Sequence, residues 1–197
     1  MAEWFWFFVL YSFIGFVLEV LFARVMGSPK RDRKCFYLLP LCPMYGLGAL
    51  FILWLPPSVK GNPLLLFFLG GLGATAAELL TGIFYEKAAG VRFWDYSHLP
   101  LNLGGHVCLL FTALWGLLAL GLVYGVHPLV AGVAARIPSY FILPAALFLT
   151  LDMAFTLLVL RREGHTDALK WYRHAIKAPP SPSPRRRRRL PRRGSLS

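Results

Sequence analysis

Apolar residues fall in five runs separated by short polar breaks. The runs cover about 4–26, 36–56, 64–86, 103–124 and 139–160, each roughly 20 residues, the length that a ~30 Å hydrocarbon core requires of an α-helix. The pattern predicts an all-α integral membrane protein in which residues 1–162 form a bundle of about five transmembrane helices. Inside the runs, small and polar residues recur every three or four positions, which places them on one helical face. The first run carries Ser12, Gly15, Glu19 and Ala23 in this way, and the third carries Gly70, Gly71, Ala74, Ala77, Glu78, Thr81, Gly82 and Tyr85. Such faces let helices approach closely. The fourth has Gly105, Cys108, Thr112, Gly116 and Ala119, and the fifth has Asp152 with Thr156 one turn further.

The second run is interrupted. Pro40, Pro43, Gly46 and Gly48 crowd into it, and proline both removes a backbone donor and clashes with the preceding turn. This helix is expected to be broken or kinked. Lipid cannot satisfy the freed backbone groups, so the segment should be buried in protein or line a wet cavity. A simple proline kink is the plainer alternative.

Composition agrees with a membrane location. The chain is 57% hydrophobic and 15% charged, against about 25% charged in soluble domains. The formal net charge of +12 is unevenly placed. Of the 21 Lys and Arg, 19 fall after the first, third and fifth runs, and the other two, Lys60 and Arg136, after the second and fourth. The positive-inside rule then puts the N-terminus outside and the C-terminus in the cytoplasm of a cell membrane. The apolar N-terminal run lacks a basic leader, contains Glu3 and is too long for a signal peptide, so it reads as a retained helix. The three cysteines, Cys35, Cys42 and Cys108, form no metal-ligand spacing. Residues 163–177 have the amphipathic character of a short interfacial helix. The Pro/Arg-rich segment 178–197 is expected to be a disordered basic tail, with Arg185–Arg193 contacting anionic lipid. No basic folded face of the kind nucleic acid requires is visible outside the tail.

Candidate chemistry centres on three carboxylates. Glu19, Glu78 and Asp152 are the sixteenth, fifteenth and fourteenth residues of runs that cross in the same direction. At 1.5 Å per residue they share a depth of ~20–23 Å. A carboxylate facing lipid near a helix centre costs ~2.5 kcal/mol or more. The three should therefore face one another, a wet cavity, or donors on the neighbouring runs, where Tyr45 and Thr112 stand at the same level. They could form a substrate or ion site, or act as hydrogen-bonded packing contacts. The third loop adds Glu86, Arg92, Trp94, Asp95, Tyr96, Ser97, Asn102 and His106. These read either as an interfacial anchor or as a cytoplasmic lid over the cavity mouth. No phosphate-binding loop, zinc-protease motif or nucleophile elbow is present. No histidine shares the carboxylate level. Neither enzyme activity, a cofactor nor a metal is expected.

Several of these residues also form recognisable motifs: Tyr11-Ser12-Phe13-Ile14-Gly15 with Glu19, Cys42-Pro43-Met44-Tyr45-Gly46 with Gly48, Glu78-Leu79-Leu80-Thr81-Gly82, Glu86-Lys87, Val91-Arg92-Phe93-Trp94-Asp95-Tyr96-Ser97, Pro100-Leu101-Asn102-Leu103 and Cys108-Leu109. Together they resemble the family named Putative ABC-transporter type IV, bacterial multi-pass proteins regarded as permeases. Gly104-Gly105-His106 stands where the family pattern has N-G-R, so a titratable ring replaces a fixed charge. The resemblance implies a permease-like membrane subunit with a separate ATPase chain as partner. The alternative is a membrane scaffold or regulator whose carboxylates serve helix packing. The bilayer is the other partner, and a homo-oligomer is compatible with either reading.

Overall fold

The computed structural model describes residues 2–27 and 34–170. The expectations for 171–177, about half of the proposed interfacial helix 163–177, for the tail 178–197 and for Arg185–Arg193 lie outside the described residues. Among the described residues, four helices are long and apolar enough to cross a membrane. They are α1 (Ala2–Val25), α3 (Pro63–Ala89), α4 (Leu109–Ala134) and α5 (Ser139–Glu163). A fifth apolar helix, α2 (Pro43–Trp54), is only 12 residues long. At 1.5 Å per residue it spans ~18 Å, well short of a hydrocarbon core. The chain is an all-α membrane protein with a broken second pass.

The break is built from an irregular segment, 34–42, ahead of α2. Pro43 opens the helix at a position where its missing N–H is not needed. Four amides of this segment find partners in neighbouring helices. The Cys42 amide donates to the Ser12 carbonyl of α1 at 2.9 Å. The Tyr37 amide donates to Thr156 Oγ1 at 2.8 Å. The Leu38 and Leu39 amides both donate to the Asp152 carboxylate, at 3.0 and 2.8 Å. On the carbonyl side, Tyr85 Oη donates to Cys35 at 2.9 Å and Lys34 Nζ to Tyr37 at 2.6 Å. A buried core of Cys35, Phe36, Leu41, Cys42, Tyr85, Ala89, Val91, Leu160 and Leu169 surrounds the segment.

Helix α5 reaches the body along one narrow stripe. Its buried residues are Asp152, Thr156 and Leu160, spaced at four, while Leu143, Leu147, Leu151 and Leu158 are exposed, as lipid-facing residues are in a bilayer. In contrast, α1, α2 and α3 pack through small residues. A Cβ on Gly15 would collide with the Tyr45 ring, and one on Gly71 would press on the Thr112 carbonyl and Gly116 backbone of α4.

The fourth pass differs from the hydropathy pattern at both ends. Residues 102–108 are not helical but form a ribbon of β1 (Asn102–Leu103) and β2 (Val107–Cys108), paired antiparallel with Leu103 opposite Val107. Gly104 and Gly105 turn the ribbon with φ of 59° and 74°, a region open to glycine and strained for other residues. The helix then starts at Leu109 and runs past 124. A widened turn over Leu122–Val126 precedes Pro128, and the helix resumes over His127–Ala134. The extra residue in that turn absorbs the hydrogen bond that proline cannot make.

Removing the Asp152 carboxylate should leave the Leu38 and Leu39 amides unpaired at a level where lipid offers no acceptor. Each such group costs about 1–3 kcal/mol. Asp152→Ala is expected to lower the thermal midpoint of the purified protein sharply. Asp152→Asn, which keeps one acceptor, should lower it by less. Equal, small shifts in a detergent melting experiment would show that this carboxylate does not hold the broken segment.

Candidate functional site: a carboxylate pocket under a loop lid

Two of the three predicted carboxylates come together. Glu19 lies on the buried stripe of α1 that also holds Tyr11, Ser12, Gly15 and Ala23. Glu78 lies on the buried stripe of α3, only 1% exposed. Both line one cavity of about 330 Å³, together with Tyr45, Tyr96, Phe111 and Trp115. The break before α2 brings Tyr45 into the first turn of that helix, and Gly15 clears room for its ring. From there the Tyr45 hydroxyl donates to Glu19 Oε1 at 2.9 Å. Glu78 is gripped at both oxygens. Tyr96 Oη donates to Oε1 at 3.0 Å, and Trp115 Nε1 donates to Oε2 at 2.9 Å. Aromatic rings complete the wall. Tyr45 packs on Trp115 with centroids 4.8 Å apart, and Tyr96 stacks on Phe111 at 4.5 Å.

The third predicted carboxylate is elsewhere. Asp152 is committed to the Leu38 and Leu39 amides and is not among the cavity walls. Thr112, expected as a donor to the carboxylates, instead accepts from Thr75 Oγ1 at 3.0 Å and donates to the Cys108 carbonyl at 3.1 Å. A threonine hydroxyl inside a helix reaches the carbonyl one turn back, which removes it as a donor to anything else. Shared depth therefore brings together Glu19, Glu78 and Tyr45 but not Asp152 or Thr112.

The loop residues form the lid's framework. Glu86, at the end of α3, holds Arg92 through Nε at 2.8 Å and lies 2.8 Å from His106 Nε2. Trp94 Nε1 donates to the His106 carbonyl at 2.8 Å. Asp95 Oδ1 accepts from the Ser97 amide at 2.9 Å, and that hydrogen bond holds the Asp95 carboxyl below the usual carboxylate range. Asn102 spans the ribbon turn, donating to the Leu99 carbonyl at 2.7 Å and accepting from the Gly105 amide at 3.1 Å. The Tyr96 amide donates to the Gly105 carbonyl at 2.8 Å. The net effect of these contacts is to fix Tyr96, whose hydroxyl is the lid's reach into the pocket.

Sequence reasoning missed Trp115 and Phe111. Counted as apolar, Trp115 looks like lipid-facing filler. A tryptophan in mid-span carries an N–H that lipid cannot accept, and that is the signal that could have found it. Among the described residues, no group of three His, Cys, Asp or Glu side chains could hold a metal ion.

Fold and site together define a multi-pass helical membrane protein with a carboxylate pocket under a folded loop. The family described as Putative ABC-transporter type IV matches residues 6–159, and the chain belongs to it. No curated protein and no solved structure matches the chain.

The Trp115–Glu78 contact can be measured on its own. Trp115→Phe leaves one buried carboxylate oxygen without its donor and should destabilise by about 1–3 kcal/mol. Combining it with Glu78→Gln should cost clearly less than the sum of the two single changes, because they break one contact. Strict additivity of the melting shifts would rule out that coupling.

Proposed function

We propose that this chain is the membrane subunit of an ABC-type transport system, with the Glu19–Glu78 pocket as its substrate or ion site. The observation that carries this reading is the convergence of two buried carboxylates, two tyrosine hydroxyls and an indole N–H on one cavity. An intramembrane carboxylate is costly, and a bundle that keeps two around a cavity puts them to use. These 197 residues contain no phosphate-binding loop, and in this reading a separate subunit hydrolyses the nucleotide. Family membership supports the same assignment.

A second reading has its own observation. Both oxygens of Glu78 accept hydrogen bonds from within the protein, as they would in a scaffold where the carboxylate only joins helices. The two readings part on Glu78→Gln. In a complex purified through this chain, we expect an ATPase subunit to co-purify with wild type and variant alike. The variant should keep its assembly and lose substrate-stimulated ATP hydrolysis. A variant that aggregates or loses its partner supports the scaffold.

The proposed orientation in the cell membrane is N-terminus outside and C-terminus cytoplasmic. Arg24, Lys34, Lys87, Arg92, Arg161 and Arg162 cluster at the lid end of the helices, against Lys60 and Arg136 at the other. The native cysteines are buried, which leaves a low background for labelling. In intact cells an impermeant maleimide should label Gly61→Cys and spare Met26→Cys. The reverse pattern would invert the topology.

A further inference from the structure

The carboxylate pocket is one end of a longer groove. A second chamber of about 230 Å³ is lined by Tyr11, Ile14, Ala49, Gly121, Leu122 and Val126. The two chambers share Leu18, Tyr45, Trp115, Leu117 and Leu118 as walls. Along α4 the groove extends from Phe111 to Val126, ~22 Å at 1.5 Å per residue. Its closed ends differ in character. At one end Tyr96 stacks on Phe111 beside Glu78. At the other, Tyr11 Oη lies 3.1 Å from His127 Nδ1, and Phe7 packs edge-on against the same imidazole.

The side of the groove is lipped by apolar residues. Leu18 and Phe22 of α1 and Leu114, Leu117 and Leu118 of α4 are all at least 37% exposed. In a bilayer these residues face acyl chains, so the way in is lateral. Toward the loop, the space between Glu19, Cys35, Phe93, Trp94 and Tyr96 amounts to only about 10 Å³. What suits this shape is a long apolar tail beside a polar head.

The head-group chemistry follows from the polar end. Among the described residues Glu78 receives neutral donors, the Tyr96 hydroxyl and the Trp115 indole. Neutral donors leave the negative charge of a carboxylate uncompensated, and a cation beside it would complete the site. Tyr45, Tyr96, Phe111 and Trp115 surround the same space, and aromatic faces attract ammonium groups. We infer that the groove binds an amphiphile with an ammonium head at Glu78 and an alkyl chain lying between α1 and α4. This inference rests on the pocket being the site of the proposed transport function and names the class of its substrate.

The test uses the full chain in nanodiscs of neutral lipid, with a diazirine-tailed tetradecylamine as probe. Light should place adducts on groove residues such as Leu18, Leu118 and Leu122. Unlabelled tetradecylamine should displace the probe at least about tenfold better than tetradecanol or myristic acid, the factor expected for one charged contact. Glu78→Gln should erase that preference, and Glu163→Gln should keep it. Gly121 has open space where its Cβ would be, so Gly121→Phe should fold, fill the apolar chamber and block labelling with both carboxylates intact. Equal displacement by amine and alcohol would overturn head-group recognition. Adducts spread evenly over Leu143 and Leu151 of α5 would reduce the groove to ordinary lipid contact. If the amine fails to bind while Glu78→Gln still abolishes coupled ATP hydrolysis, the substrate class falls and the transport site stands. If the amine binds and that variant keeps full coupled activity, the transport reading falls and the binding site stands.

Discussion

A bilayer core offers no hydrogen bonds to a backbone that leaves the helix. Everything specific about this bundle follows from how it meets that constraint at residues 34–42. The amides of Tyr37, Leu38, Leu39 and Cys42 point at acceptors on α5 and α1. Those bonds hold α2 at a start point set by Pro43, and that start point puts Tyr45 opposite Glu19. A continuous second helix would carry its own amides internally and would need neither Asp152 nor Thr156. The break is therefore the price at which the pocket is assembled, and α5 is the helix that meets it.

The pocket and the broken segment divide the buried carboxylates by task. Asp152 serves backbone amides, whereas Glu19 and Glu78 take side-chain donors around an open volume. The lid belongs to the pocket side. Its ribbon, its Glu86–Arg92 contact and its Trp94 anchor converge on Tyr96, which touches Glu78 directly. A displacement of the loop that withdrew Tyr96 would take one donor from Glu78 and open the cavity at the same moment.

Much of this was legible in the residue pattern. The small and polar stripes of α1 and α3 are the buried faces, because lipid-facing positions cannot afford polar atoms and packed ones must be small. Depth counting put Tyr45 at the level of Glu19 and Glu78, since both glutamates sit on regular helices with a fixed rise. Asp152 stands apart from the pocket because depth says nothing about azimuth, and its donors on the second run are amides of a non-helical stretch. Thr112 failed for a local reason, its hydroxyl being spent on the carbonyl of Cys108. The start of α4 was displaced because Leu101, Leu103 and Val107 look like span residues, while the turn of the ribbon depends on two glycines in left-handed conformation. Trp115 was invisible to any count that treats tryptophan as purely apolar.

The attachment of α5 sets an order on biogenesis. Ribosomes deliver the acceptors of Leu38 and Leu39 more than a hundred residues after the amides themselves, since Asp152 follows them by 114 and 113 residues. Until that helix is threaded into the membrane, the segment has nothing in the hydrocarbon to satisfy it. It must wait at the level of the headgroups, with water as its partner, and sink only when α5 arrives. Helix α5 is thus the one that completes the second pass, and a nascent chain released before Ser139 would leave those amides without their acceptors.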